Sequence, residues 1–154
     1  MFLADMVTQK RGRIINISSV AGFMPLPYDQ TYAGTKAFVR NLSIAVNHEL
    51  KVLKSPVRVV AVCPGVITTE FYNRIAKTTA EPRMVAAMEK INRLRSNVPR
   101  DKFCRLSLRR ALNTKNRDTV VVGGYNWLLL AVSKLLPHRF TSFCLARALR
   151  KYFR

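Results

Sequence analysis

Residues 13–36 read RIINISSVAGFMPLPYDQTYAGTK, and the order of residue types in that stretch decides the fold. Arg13–Ile17 is a run of β-branched residues followed by Ser18-Ser19 and then Gly22, Pro25 and Pro27, a strand that runs into a loop. From Gln30 to about Lys54 no proline intervenes. Ala33, Ala37, Leu42, Ala45, Val46 and Leu50 recur there at helical spacing, which predicts a long helix. Val57–Cys63 (VRVVAVC) is then a near-continuous apolar run, as expected of a strand covered on both faces, and Pro64-Gly65 ends it.

Outward from this centre the alternation continues. Residues 2–9 suit the end of a helix. Glu81–Arg95 reads as a helix with Pro82 in its first turn, where a missing N–H costs nothing. Arg100–Leu112 reads as another, Thr119–Val122 as a third strand closed by Gly123-Gly124, and Tyr125–Arg154 as two helical segments separated at Pro137. Short apolar strands alternating with helices predict an α/β fold with a parallel sheet. There is no internal repeat and no low-complexity tract.

The chemistry-bearing residues fall at the ends of the predicted strands. Ser18 and Ser19 stand at the carboxyl end of the first, where open α/β sheets place their ligands. Tyr32 and Lys36 are four apart, on one face of a helix and close enough to interact. A phenol, with an ordinary pKa of about 10, is a poor acid–base catalyst near neutrality. An adjacent ammonium favours the phenolate and brings such a group nearer the working range. A serine hydroxyl at a strand end can hold and polarise a carbonyl oxygen beside that phenol. Downstream, Pro64-Gly65 with Thr68 and Thr69 is placed where backbone and hydroxyls can meet a cofactor ring. Ser18 reads as a structural strand-end hydroxyl bonding backbone, and Tyr28 as a loop aromatic packed on its neighbours.

Taken in order, Gly12-Arg-Ile-Ile-Asn-Ile-Ser-Ser-Val-Ala-Gly22, Tyr32-Ala-Gly-Thr-Lys36 thirteen residues after Ser19, and Cys63-Pro-Gly65 through Thr69 resemble the catalytic part of the short-chain dehydrogenase/reductases, nearest to ketoreductase and hydroxysteroid-dehydrogenase-like members. The resemblance is densest over residues 12–71 and implies a Rossmann-like parallel sheet with flanking helices. It further implies that Tyr32 exchanges the proton with the substrate oxygen, that Lys36 favours the Tyr32 phenolate and hydrogen-bonds the nicotinamide ribose, and that Ser19 holds the substrate oxygen. Pro64, Gly65, Val66, Ile67 and Thr69 would line the nicotinamide site, and the segment around Phe71–Met88 falls at the variable substrate loop. The implied cofactor is NAD or NADP. The implied substrate is a small apolar carbonyl or alcohol, as in lipid or steroid metabolism. The implied assembly is a homodimer formed through the Gln30–Lys54 helix and the one before Arg13.

The family's Thr-Gly-x-x-x-Gly-x-Gly loop and Asn-Asn-Ala-Gly stretch do not occur in the sequence. The expectation is therefore a truncated domain that carries the catalytic half without its Gly-rich half, in residues 1–124, followed by a basic amphipathic helical tail in residues 125–154. The family's whole domain would run to roughly 250 residues, within the single-domain range for α/β folds. Arg13–Ile17 would then be a bare apolar sheet edge, a pairing hazard unless covered.

The composition is globular, 49% hydrophobic and 23% charged in 154 residues, which excludes disordered, collagen-like and disulfide-framework classes. The charge is unusual: 27 Lys and Arg against 8 Asp and Glu, net +19, with 19 of the basic residues in 73–154. Trp127, Phe140, Phe143 and Phe153 lie among the cations of the tail, a pattern that suits an interfacial helix on a membrane. No recognition motif accompanies the charge, which argues against nucleic acid. Cys63, Cys104 and Cys144 lack metal or redox spacing and read as reduced, buried thiols in a cytoplasmic, at most membrane-associated, protein. His48 and His138 have no metal-ligand company, so no metal site is expected. Two functions follow: an NAD(P)-dependent oxidoreductase acting through Ser19, Tyr32 and Lys36, or an inactive relative whose basic tail binds membrane surfaces or polyanions.

Overall fold

The computed structural model describes residues 2–65 and 100–150. In chain order these form α1 (Phe2–Thr8), β1 (Arg13–Ile17), a single 3-10 turn (Val20–Phe23), α2 (Gln30–Val52), β2 (Arg58–Cys63), α3 (Arg100–Asn113), β3 (Thr119–Val121), α4 (Gly124–Leu135) and α5 (His138–Arg150). β1 has the expected bounds, β2 starts one residue later and β3 ends one residue earlier than the sequence predicts. The helix expected at Glu81–Arg95 lies outside the described residues.

The three strands form one parallel sheet in the order β1-β2-β3. Arg13 pairs with Arg58 and Ile17 with Val62 on one side of β2, while Ala61 pairs with Thr119 and Cys63 with Val121 on the other. β2 is therefore central, which explains its unbroken apolar run: every residue from Val59 to Cys63 is buried. Alternate residues feed opposite layers. Val60 and Val62 join Val120, Val122, Phe103 and Ala111 beneath α3. Val59 meets Leu50, Leu3 and Met6 of the α1–α2 side, and Ala61 and Cys63 meet Leu130 of α4. Helices on both faces of a parallel sheet make the Rossmann-like architecture that the sequence predicted. Arg13 ties the layers together from the start of β1, its guanidinium donating to Ala111 and Thr114 carbonyls at the end of α3, both at 2.7 Å.

The inward face of α2 differs from the apolar one expected. Its buried residues are Ala33, Ser43, Asn47 and Leu50, whereas Leu42 is 48% exposed and Phe38 66%. The reason is polar cross-linking. Asn47 accepts from the Val59 amide at 2.9 Å and donates to Asp118, while Ser43 accepts from the Asn16 side chain at 2.9 Å. These bonds fix the rotation of α2 about its axis more sharply than methyl groups would.

Asp118 is the anchor of this network, held by Lys51 at 2.6 Å and His48 at 3.2 Å as well as by Asn47. Burial raises its pKa, but the Lys51 and Asn47 hydrogen bonds and the Lys51 and His48 charges outweigh that and hold the carboxyl below its ordinary value. A carboxyl lower in the folded than in the unfolded chain stabilises above the unfolded value and loses that contribution as pH falls through the folded one. Asp118→Ala is accordingly expected to lower the unfolding midpoint in urea at neutral pH. Because it leaves the fully buried Asn47 amide without this partner, the cost is about 1–3 kcal/mol. The loss should become smaller in strongly acidic buffer as its charge-dependent part disappears and the cost of the orphaned Asn47 amide is left, and a deficit wholly independent of pH would refute the lowered carboxyl.

The two helices that follow β3 do not behave uniformly. α4 anchors on the sheet through buried Leu130 and Ser133, whereas α5 has no buried residue. Of the three cysteines only Cys63 is buried. Cys104 and Cys144 are exposed, contrary to expectation, because each lies on the solvent side of its helix.

Candidate active site

The adjacent carboxyl ends of β1 and β2 carry the residues singled out above. The Ser18 amide extends the ladder by one bond to the Val62 carbonyl at 2.8 Å. Its hydroxyl, buried as a strand-end group, donates to the Lys36 carbonyl at 2.7 Å. In the opposite direction the Lys36 ammonium donates to the Ile17 carbonyl at 3.1 Å. One turn of α2 is thus stapled to the end of β1 through both the backbone and the side chain of Lys36. The same ammonium lies 5.6 Å from the centroid of the half-buried Tyr32 ring, within cation–π range.

Ser19 caps the 3-10 turn, its hydroxyl accepting from the Ala21 amide at 3.1 Å. The same hydroxyl donates to the Pro64 carbonyl over 3.4 Å, and that carbonyl already accepts from the Val20 amide at 2.8 Å. A proton held by so long a bond to an engaged acceptor is easily redirected to a better one. Ser19 is thereby brought to Pro64 and Gly65, and Tyr32 to Lys36 at the end of β1. Val66, Ile67, Thr69 and the Phe71–Met88 segment lie outside the described residues.

Gly22 and Asn126, which no spacing rule finds, also shape the site. Gly22 lies against α2 where a Cβ would come within 2.7 to 2.9 Å of the Lys36 carbonyl group and the Ala37 nitrogen, so only glycine permits the approach. The Arg40 guanidinium stacks 4.0 Å from the centre of the neighbouring Phe23 ring and holds the turn from its other end. Asn126, in the first turn of α4, donates to the Val122 carbonyl at 2.7 Å and fills the space that a side chain at Gly65 would need. The sequence signal for both is no more than an isolated glycine at a loop boundary.

Beneath the site, burial pushes the Cys63 thiol up to about 11, against the opposing Ser18 hydrogen bond, so it is a packing group and no nucleophile at neutral pH. Burial likewise raises the Asp29 carboxyl, which occupies the N-cap position of α2 without a side-chain capping bond. Among the described residues no group of three or more His, Cys, Asp or Glu side chains is placed to hold a metal. No helix among them is long and apolar enough to cross a membrane.

Residues 1–80 match the model of the short chain dehydrogenases. The chain belongs to the short chain dehydrogenase family. Within it, an uncharacterised oxidoreductase of Staphylococcus saprophyticus is 37% identical over 74 residues, which are 48% of this chain and 30% of that protein. A very-long-chain 3-oxoacyl-CoA reductase of Coprinopsis cinerea is 51% identical over 49 residues, 32% of this chain and 14% of the reductase. Among solved structures, a serine dehydrogenase in its closed form with NADP+ superposes with a TM-score of 0.62 at 27% identity, covering 78% of this chain and 47% of that one. The match spans about a third or less of these curated relatives and about half of the solved chain.

Proposed function

We propose that this chain carries the catalytic part of an NAD(P)-dependent oxidoreductase that interconverts a carbonyl and a secondary alcohol. This reading is supported by the Ser19 hydroxyl on the Pro64 carbonyl at the end of β2, the Lys36 ammonium on the Ile17 carbonyl at the end of β1, and the Tyr32 ring beside that ammonium. In this reading Ser19 redirects its hydroxyl from Pro64 to the substrate oxygen and polarises the carbonyl. The Tyr32 phenol delivers the proton to that oxygen, or removes it in the reverse direction. Lys36, oriented by Ile17 and Ser18, supplies the positive charge that favours the phenolate and a donor for the nicotinamide ribose. The bound nicotinamide supplies or accepts the hydride.

The donor set fits the nicotinamide half of such a cofactor: one ammonium, one phenol and one serine hydroxyl at a sheet end suit a ribose diol and a carbonyl. Val66, Ile67 and Thr69 are proposed as further contacts to the ring, and NAD and NADP both remain candidates. The apolar class of substrate rests on the resemblance and on the acyl-CoA reductase named above. Homodimerisation through α1 and α2 is proposed with it, supported by the exposed Phe38 and Leu42 on α2.

Titration of the purified chain with NADH and NADPH, followed by nicotinamide fluorescence, tests the reading. Saturable binding of either is expected, and linear, non-saturating response to both would reject it for this chain. The second reading is a catalytically inactive member whose basic tail binds membrane surfaces or polyanions. It predicts that linear response.

A further inference from the structure

Two observations about the last described helices do not follow from nicotinamide chemistry. The first is charge. Asp118 is the last acidic residue, and residues 119–154 contain Lys134, Arg139, Arg147, Arg150, Lys151 and Arg154 with no carboxylate side chain to offset them. The second is the direction in which α5 faces. Thr141, Ser142, Leu145, Ala146 and Leu149 are half-buried and mark its inward side. Phe140, 55% exposed, and Phe143, 65% exposed, share the outward side with Arg147 and Arg150. Their spacing of three, four and three residues is that of one helical face.

A surface helix normally turns its aromatic rings inward and its cations outward. α5 sends both outward, although its inner face has aliphatic residues of its own. α4 does the same. Leu130 and Ser133 face the sheet, while Trp127, Leu128 and Leu135 are exposed at 52%, 61% and 82%, with Lys134 beside them. Leu136, at the corner joining the two helices, is 38% exposed.

We infer that α4 and α5 form a docking surface for an anionic lipid membrane. The partner must offer negative charge to the arginines and an apolar interior to the rings, and the interface of an anionic bilayer offers both at adjacent depths. A second copy of the same face would set like charges against like. A nucleic acid would satisfy the cations and leave the leucines in water. Docking places Trp127, Phe140 and Phe143 at the acyl boundary, with Lys134, Arg139, Arg147 and Arg150 at headgroup level. This inference is independent of catalysis by Ser19, Tyr32 and Lys36.

The test is co-sedimentation of the full chain with phosphatidylcholine vesicles with and without phosphatidylglycerol, with Trp127, the single tryptophan, as reporter. Binding and a blue shift of Trp127 emission are expected on the anionic vesicles only, with binding weakened by salt. Phe140→Ser/Phe143→Ser should lower binding by about tenfold or more through lost apolar burial, and Arg147→Gln/Arg150→Gln should lower it by several-fold. Arg105→Gln/Arg109→Gln, which removes the same charge from α3, should retain it. Circular dichroism checks that each variant is folded. Equal binding to neutral vesicles, an unshifted Trp127, or equal loss in the α3 variant would overturn the proposal. So would retention on heparin or duplex DNA without vesicle binding, or a dimer abolished by the phenylalanine substitutions in vesicle-free buffer.

Discussion

Tyr32→Phe is expected to remove nearly all carbonyl reduction while leaving nicotinamide binding close to unchanged. The substitution deletes one oxygen and keeps the ring that the Lys36 ammonium approaches at 5.6 Å, so the local packing survives. What disappears is the proposed proton donor. A positioned acid–base group typically contributes about 10²–10⁴-fold in rate, and kcat should fall on that scale. NADPH oxidation at saturating ketone gives kcat, and nicotinamide fluorescence gives the binding constant. Loss of kcat with binding preserved is the expected pattern, and an undiminished kcat would reject the assigned role. Lys36→Met should differ from it by weakening both quantities. It removes the proposed ribose donor and also releases the Ile17 carbonyl from the bond that aligns α2 with β1.

A large effect on stability is expected at Gly22. An alanine there sets its Cβ within 2.7 to 2.9 Å of Lys36 and Ala37 backbone atoms, which cannot rotate aside. The 3-10 turn must lift from α2, at a cost of about 1–3 kcal/mol by analogy with overpacked cores. For a chain of this size the melting temperature should fall by roughly 2–12 °C. Gly34→Ala provides the contrast. Gly34 lies inside α2 with nothing within 4 Å of the position a Cβ would take. There alanine should stabilise by about 0.5–1 kcal/mol, the ordinary helical difference between the two residues. Thermal unfolding of both variants decides the matter, since one substitution type must act with opposite signs. A neutral Gly22→Ala would mean that the turn does not press on Lys36.

What was legible in the sequence follows from what each signal measures. β-Branched runs mark strands because burial on both faces of a parallel sheet leaves little choice of residue, and β2 shows this directly. The spacing of Ser19, Tyr32, Lys36 and Pro64-Gly65 follows the strand–helix–strand path of β1, α2 and β2, which is why the sequence offers them as one candidate set. The inward face of α2 was misread because hydropathy counts methyl groups. Asn47 and Ser43 are buried by virtue of partners on β1, on β2 and before β3, which lie far away in sequence. Gly22 and Asn126 stayed hidden for a related reason: close approach of two backbone segments leaves no trace in periodicity. Cys104 and Cys144 were misjudged by applying the average behaviour of cysteine to helix positions that face solvent.

The register of the sheet also sets the order in which the chain can assemble. Arg13 pairs with Arg58 and Ala61 with Thr119, so no rung of the sheet joins neighbouring segments. Each strand pair forms only after a long excursion has closed, and the closure entropy is lost before any strand contact offsets it. β2, the most apolar strand, must therefore wait unpaired for partners from both directions. Refolding from denaturant should be slow for a chain of this length, and yield should fall with protein concentration as waiting copies of β2 meet one another.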